Sequence, residues 1–170
     1  MANTYSLLST VRLSGGAASS ISFTSIPQGY TDLVLNMSLR ATGTDSTDAW
    51  DMPMSVNGSS TIITASLRGD GSGTNYNAVT DRLLRQIVPS NWTTGTFSNG
   101  QIYFPGYTSS NYKVFDVKTI VEQDAAASAQ ILIAGAIATT SPITSLTFTV
   151  TGGSNFAQHS SMSLYGIKNS

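Results

Sequence analysis

Short runs in which apolar and polar residues alternate are the feature that most limits what this chain can fold into. The clearest run, 31–40, follows a turn at Pro27 and Gly29. Its apolar parity carries Leu33, Leu35, Met37 and Leu39. Its other parity carries Val34, Asn36, Ser38 and Arg40. Because successive side chains of a β-strand point to opposite faces, this run predicts a strand with one buried face and one face turned to water or to a neighbour.

Other short runs repeat the pattern along the chain. The first strand is expected from Tyr5 to Leu13, with Leu7, Val11 and Leu13 on one face. Met52, Met54 and Val56 alternate around Pro53, and a proline within a strand favours a sheet edge. Asn57-Gly58 predicts a hairpin turn.

Three segments are less regular. The glycine-rich segment 68–77 is expected to be a loop. Segment 80–88 fits either a strand or two turns of helix, and we favour the strand. Segments 111–122 and 131–137 are apolar on both parities. Both faces of 131–137 are therefore expected to be covered, and both faces of 111–122 are expected to be partly covered.

These runs number ten or eleven, with turn signals between them and almost no helical periodicity. Neither an internal repeat nor a linker divides the chain. The sequence therefore predicts one all-β domain spanning 1–170, a two-sheet β-sandwich of about ten short antiparallel strands. A jelly roll fits that strand number best.

Composition excludes several classes of function. Only 10% of the residues are charged, against about 25% in ordinary soluble domains. The net charge is −1 and the eight basic residues are scattered, which argues against a nucleic-acid partner. No cysteine is present for a disulfide or a thiolate. Neither a signal peptide nor a long apolar run is found, so we expect cytosolic synthesis without membrane insertion.

Residues suited to catalysis are scarce. His159 is the only histidine and Glu122 the only glutamate. A lone histidine beside serines in a serine-rich chain fits a turn or surface position better than a catalytic site. We therefore predict no enzyme and no cofactor, with a hydrolase on a sandwich scaffold as the minor alternative.

Two loops carry weak motifs. Asp45, Asp48 and Asp51 could supply oxygen ligands to calcium, but the glycine and ligand pattern of an EF-hand is missing, so a solvated polar loop is favoured and no metal is assigned. Arg68-Gly69-Asp70 matches an integrin-type adhesion tripeptide. It lies in a glycine-rich segment in which such residues are expected in any case, so the match is weak.

Aromatic residues in predicted loops are the remaining candidates for contact with a ligand. Trp50, Trp92 and Tyr107 could stack on glycans or meet a protein partner. Aromatic side chains at the ends of a sandwich also serve as plugs of its core, and the sequence leaves the two interpretations open.

Three segments together resemble a known group of proteins. They are Ile21–Leu33 (ISFTSIPQGYTDL), Asn111–Lys113 (NYK) and Ser163–Ile167 (SLYGI). In combination they are similar to small virion structural proteins of tailed bacteriophages. That resemblance implies a jelly-roll-like domain that decorates a capsid as a cement protein or forms the head of a fibre, commonly as a trimer. It supplies no catalytic motif.

The resemblance implies a non-enzymatic virion protein, made in the cytoplasm of the host bacterium. The leading expectation is a capsid decoration or cement protein that binds the major capsid protein and its own copies. The alternative is a fibre-tip or tail module that recognises glycans of the host surface.

Overall fold

The computed structural model describes residues 5–44, 50–59, 61–70, 74–79, 83–124 and 127–168, and within them the fold is all-β. The described strands are β1 (Tyr5–Arg12), β2 (Ser20–Phe23), β3 (Asp32–Leu39), β4 (Trp50–Val56), β5 (Ile62–Gly69), β6 (Thr74–Val79), β7 (Leu83–Ile87), β8 (Ser98–Phe104), β9 (Lys113–Gln123), β10 (Ala127–Ile137), β11 (Leu146–Thr149) and β12 (Ser161–Ile167). No helix in this part of the chain has the length and apolar character needed to cross a membrane.

The strands form two antiparallel sheets, which confirms the predicted β-sandwich. The large sheet has the order β1-β12-β3-β8-β9-β10-β5-β6, and the small sheet has the order β2-β11-β4-β7. If β5, β6, β9 and β10 are set aside and the other eight strands are renumbered in chain order, the sheets read 1-8-3-6 and 2-7-4-5. This is the strand order of a jelly roll.

The four strands set aside are two hairpins inserted into that framework. β5 and β6 pair with each other, and β9 pairs with β10. β9 joins β8 at the framework's edge, and β5 pairs with β10. The insertions therefore widen the large sheet from four strands to eight, all on the side of β8.

One core lies between the two sheets and includes side chains from the framework and from both hairpins. The predicted inner face of β3 is confirmed, since Leu33, Leu35, Met37 and Leu39 are all buried. The other face of β3 is less exposed than expected. Val34 is buried between Tyr165 and Tyr103 of the neighbouring strands, and Arg40, just after the strand, is buried as well.

A β-bulge corrects the expected faces of β1. Its pairing with β12 shifts between Leu7 and Ser9, so β1 contains one extra residue relative to β12 at this point. Leu7 is consequently exposed, whereas Leu8, Val11 and Leu13 pack against the core. Alternation alone predicted Leu7 on the same face as Val11 because it cannot reveal an inserted residue.

β4 is an interior strand, so the prediction that Pro53 marks a sheet edge was wrong. Residues 50–53 pair with β7, whereas residues 54–56 pair with β11. Pro53 therefore lies where the strand changes its partner. The missing backbone N–H falls at this changeover, which lets an interior strand accept a proline.

The turn at Asn57-Gly58 is confirmed, but it does not join a hairpin of two paired strands. Both residues have positive φ, and Val56 and Ser59 exchange backbone hydrogen bonds. β4 belongs to the small sheet and β5 to the large sheet, so the turn carries the chain from one sheet to the other. The Asn57 side chain also binds Pro142 O and the backbone N–H groups of Thr144 and Ser145, which fixes a second loop.

Two less regular segments form strands. β7 confirms the strand interpretation for the described part of 80–88. β6 begins within the segment 68–77, which was expected to be a loop, and β5 ends in that segment at Gly69, so the expectation was wrong for these residues. Its asparagine-rich sequence, TNYNAV, has weak strand propensity, and it forms an edge strand through its pairing with β5.

Candidate functional site: the outer face of the large sheet

The large sheet turns one face to the core and the other away from it. We call the second its outer face and divide it into two parts. The polar half comprises the outward residues of β12, β3 and β8, and the apolar half comprises those of β9, β10 and β5. Neighbouring residues of the two halves meet along the pairing of β8 with β9, where Gln101 opposes Lys118 and Tyr103 opposes Asp116.

The apolar half is wide and exposed. Its large side chains are Ile63 (56% exposed), Val114 (56%), Ile120 (47%), Leu132 (45%) and Leu67 (41%). Ala65, Ala134 and Ala136 occupy positions between them and add no bulk. These side chains lie on adjacent strands in register, so together they form one apolar surface.

This surface corrects a prediction. Because their two parities are apolar, β10 was expected to be covered on both faces and β9 to be partly covered on both. Only the inner parity is covered: Ile131 and Ile133 are buried, whereas Leu132 and Val114 are exposed. The pattern that predicted burial on both sides indicates instead one core face and one apolar face in contact with solvent.

The exposed charges of the apolar half lie at its border with the polar half. Lys118 and Asp116 are exposed on β9, and Leu132 and Ala134 oppose them on β10. These two exposed charges have opposite signs, and the carboxylate of Glu122 at the end of β9 is bound by Thr93 and Thr96. The contacts of this half would therefore depend on apolar burial far more than on a long-range field.

The polar half contains an open cleft with a volume of about 430 Å³. It is lined by Asn36, Met37, Ser38, Asn99, Gly100, Gln101, Ser161 and Ser163. The Gln101 Nε2 donates to Asn36 Oδ1 at 2.9 Å, which connects β8 to β3. Ser163 Oγ lies 3.0 Å from Thr10 Oγ1, which connects β12 to β1. The cleft therefore presents amides and hydroxyls without an ionisable group.

Two tyrosines border this cleft. Tyr165 and Tyr103 are half-buried and flank the buried Val34 on the adjacent strands. The Tyr103 hydroxyl donates to Asp32 Oδ2 at 2.9 Å, and the backbone N–H of Gly106 donates to Asp32 Oδ1. Burial, together with the hydrogen bond and negative charge of Asp32, raises the pKa of Tyr103. The neutral Tyr103 is thus held in one orientation beside the cleft.

Arg40 connects the two halves at one end of the sheet. Its buried guanidinium donates to the backbone carbonyls of Ser90, Trp92, Thr93 and Thr96 at 2.7–3.1 Å. The hydroxyls of Thr93 and Thr96 donate to the carboxylate of Glu122 in β9. The loop 89–97 is therefore bound to the end of β3 through Arg40 and to the end of β9 through Glu122.

Lys113 is the most buried cation among the described side chains, at 1% exposure. Its ammonium group donates to the carbonyls of Ser109 and Asn111, both at 2.6 Å. Burial lowers the pKa of Lys113. Since its Nζ binds the loop that precedes β9 and has no opening to the outer face, we interpret it as a clamp on that loop.

The tryptophans proposed as contact residues are partly packed. Trp50 lies against the core, its Nε1 donates to Gly43 O at 3.2 Å, and a side chain at Gly152 would overlap its ring. Trp92 packs on the small cluster of Val88, Val121 and Ala129. Both contacts favour the alternative interpretation of these rings as plugs of the core.

Tyr107 cannot contact a glycan or a partner from its position in the fold. Its side chain is completely buried and its hydroxyl donates to Pro27 O. Burial also raises the pKa of Tyr107. The prediction placed it in an accessible loop, but the chain after β8 turns inward and the ring fills the core beneath Pro27.

The prediction for His159 is confirmed: it is exposed, lies in a turn and has φ 73°. Its backbone N–H donates to Leu13 O. The neighbouring Ser160 is buried and its hydroxyl accepts from the backbone N–H of Arg40, so it is not a free nucleophile.

The first of the two weak loop motifs lies largely outside the described residues, whereas Arg68, Gly69 and Asp70 are described. Asp45 and Asp48 are not described, and Asp51 belongs to β4, so the calcium interpretation stays untested. Among the residues that the structure describes, no group of histidine and carboxylate side chains could hold a metal ion. Arg68 and Gly69 end β5, and the residues that follow Asp70 are not described.

The sequence did not indicate the cleft, because asparagine, glutamine and serine on strands look like ordinary solvent-facing residues. It did contain a signal for the apolar half, namely the apolar residues on both parities of 111–122 and 131–137. Comparisons with protein-family models, curated proteins and solved structures found no match to this chain.

Proposed function

We propose that this protein is a non-enzymatic structural component of a tailed-bacteriophage virion, and specifically a capsid decoration or cement protein. In this role it binds the major capsid protein and sister copies of itself, as a homo-oligomer that we take to be a trimer. Its mechanism is mechanical, since bound subunits oppose the outward pressure of the packaged DNA.

The observation that supports this role best is the apolar half of the outer face. Monomeric proteins rarely expose a contiguous apolar surface larger than a few hundred Å², and larger surfaces mark interaction sites. Five large aliphatic side chains on three adjacent strands make such a surface here. A contact that buries on the order of 1,000 Å² would remove it from water and is large enough for specific assembly.

The sparse charge of the chain supports the same role. With 10% charged residues, few long side chains must be immobilised or stripped of water when two surfaces meet. A virion also repeats each contact by symmetry, so a contact of moderate strength is multiplied over many copies.

The alternative, a fibre-tip or tail module that binds host glycans, rested on Trp50, Trp92 and Tyr107. The burial of Tyr107 and the packing of both tryptophans leave no platform of exposed rings among these three residues. We therefore place this alternative second.

The decisive experiment is to purify particles of the phage that encodes this chain and to examine them by quantitative mass spectrometry and cryo-electron microscopy. A decoration protein will be present in many copies and will appear as density at symmetric positions on the head. Its absence from the particles would refute a virion role, and density only on the tail would refute decoration.

A matched pair of variants tests which surface docks. Leu132→Lys places a charge in the centre of the apolar half, and we expect it to lower binding to undecorated heads by at least about tenfold. Asn99→Lys places the same charge on the exposed polar half and should leave binding within about twofold. Equal losses for the two variants would contradict docking through the apolar half.

A further inference from the structure

We propose that the cleft of the polar half is a binding site for a neutral carbohydrate chain. The site is the floor formed by β12, β3 and β8, with Asn36, Asn99 and Gln101 as its principal polar groups. This inference rests on the geometry of the cleft and is independent of the role in the virion.

The chemistry of the lining selects the class of ligand. The residues that line the cleft carry no ionisable side chain. A charged ligand would lose its hydration there without gaining an opposite charge from the lining. A neutral sugar loses much less hydration free energy. Its hydroxyl groups both donate and accept hydrogen bonds, and a side-chain amide offers an N–H donor and a carbonyl acceptor to match them.

Hydrogen-bonding capacity remains available in the cleft. In the bond between Gln101 and Asn36, Gln101 uses one N–H and Asn36 uses its carbonyl oxygen. The amide nitrogen of Asn36 and the carbonyl oxygen of Gln101 thus remain for a ligand. Within the described part of the chain, the side chains of Asn99, Ser38 and Ser161 form no hydrogen bond, so they are also available.

The position of these groups on paired strands makes the site rigid. Asn36 opposes Ser163 on one side and Gln101 on the other, while Ser38 opposes Ser161 and Asn99. Adjacent strands lie about 4.8 Å apart, so the polar groups form a grid of fixed spacing. Groups held by a sheet lose little entropy when a ligand binds, which favours affinity for a weakly interacting sugar.

The border of the cleft supplies the apolar contact that sugar rings require. Tyr165 and Tyr103 lie in the next row of side chains along β12 and β8. Tyr103 is fixed by its bond to Asp32. The C–H face of a pyranose ring packs on aromatic side chains, so a chain lying across β12, β3 and β8 would meet amides on one side and tyrosines on the other.

The experiment uses the full chain labelled with ¹⁵N and follows backbone and side-chain amide signals by NMR. The probes are cellohexaose, maltohexaose and hexa-N-acetylchitohexaose, with an alginate hexamer as the acidic comparison. We expect at least one neutral probe to shift the side-chain amide signals of Asn36, Asn99 and Gln101 in a saturable manner. Absence of such shifts with all three neutral probes, or shifts with alginate alone, would overturn the proposal.

Two glutamine variants provide the matched control. Gln101→Ala should weaken the best neutral probe by about fivefold to tenfold, since it removes hydrogen bonds of the site. Gln130→Ala changes the same residue type on the outer face, in β10 and away from the cleft, and should leave affinity within about twofold. Melting temperatures show that both variants are folded, and equal weakening by the two would contradict this site.

Discussion

The two halves of the outer face share one sheet and one core but differ in what they offer to a partner. The polar half sits on strands of the jelly-roll framework and presents amides, hydroxyls and two tyrosines. The apolar half sits on the inserted hairpins and presents isoleucine, leucine and valine. The core needs only the inward apolar residues of β9 and β10. The difference therefore shows that their outward apolar residues are not required by the core.

The comparison also separates two kinds of contact. Burying the exposed aliphatic groups is favourable by about 25 cal/mol per Å², and such groups accept any partner of matching shape. Amides and hydroxyls gain little on burial unless each finds a partner, so they select a ligand by its hydrogen bonds. We therefore assign assembly to the apolar half and recognition of a sugar to the polar half.

The largest expected effect comes from breaking the connection between the halves. Arg40→Leu removes the donors to four backbone carbonyls of the loop 89–97 and leaves them in a partly buried site. We expect the free energy of unfolding to fall by about 4 kcal/mol, as measured by urea denaturation.

The matched control is Arg12→Leu, which removes an exposed arginine from β1. Its effect should stay within about 0.5 kcal/mol. A similar loss in the two variants would mean that the buried guanidinium does not stabilise the loop.

The next effect tests which face of β10 belongs to the core. Gly135 opposes Phe115, and a side chain at Gly135 would overlap the Phe115 ring. Gly135→Val should lower the free energy of unfolding by about 3 kcal/mol. Ala134→Val changes the adjacent residue on the outer face and should cost less than about 0.5 kcal/mol. Thermal melting of the two variants distinguishes the faces, and the reverse ranking would show that the faces are assigned incorrectly.

A smaller effect concerns the outer face itself. The apolar half should bind the dye ANS in the native protein, because the dye binds exposed apolar surface. The double variant Ile63→Thr/Leu132→Thr should reduce native-state ANS fluorescence to roughly half, whereas Asn99→Thr on the polar half should leave it unchanged. Unchanged fluorescence in the double variant would show that this surface is not the dye's site.

The smallest expected effect is a change in pH dependence next to the apolar half. Burial lowers the pKa of Lys113 below 10.5, the value of an ordinary lysine. Between the folded-state pKa and 10.5 the unfolded chain binds more protons than the folded chain, so stability from this group rises with pH, and below that window it is constant. Lys113→Met should remove this rise. Urea denaturation at several pH values between the folded-state pKa of Lys113 and 10.0 would detect the change, because above 10.0 the raised pKa values of Tyr103 and Tyr107 lower the stability.

The control for this prediction is Lys118→Met, which changes an exposed lysine on the same strand. It should keep the alkaline rise in the free energy of unfolding. Loss of the rise in this variant, or its persistence in Lys113→Met, would assign the pH dependence to another group.

Most of the framework could be predicted from the sequence, because parity along short strands is a local property. The inner residues of β3, β4, β11 and β12 follow directly from alternation. The bulge at Leu7–Ser9 and the interior position of Pro53 depend on the partner strand, which a single sequence does not identify.

The candidate site was harder to predict for a related reason. Hydropathy indicates that a side chain avoids water. It does not distinguish a face that packs in the core of this chain from a face that is free to contact another protein. The outward residues of β10, and in part those of β9, were therefore expected to be covered. The cleft depends on Asn36, Gln101 and Ser163, which are far apart in sequence and meet only through the strand order.

The entry points of the two hairpins have a practical consequence. The β5–β6 hairpin is inserted between β4 and β7 of the small sheet, and the β9–β10 hairpin between β8 of the large sheet and β11 of the small sheet. Within the large sheet no framework strand lies between the two hairpins. The outward residues of these hairpins can therefore be changed without altering the connections of the jelly-roll strands, whereas their inward residues belong to the core. A library built on β5–β6 and β9–β10 would redirect this scaffold to new binding targets while its original topology is retained.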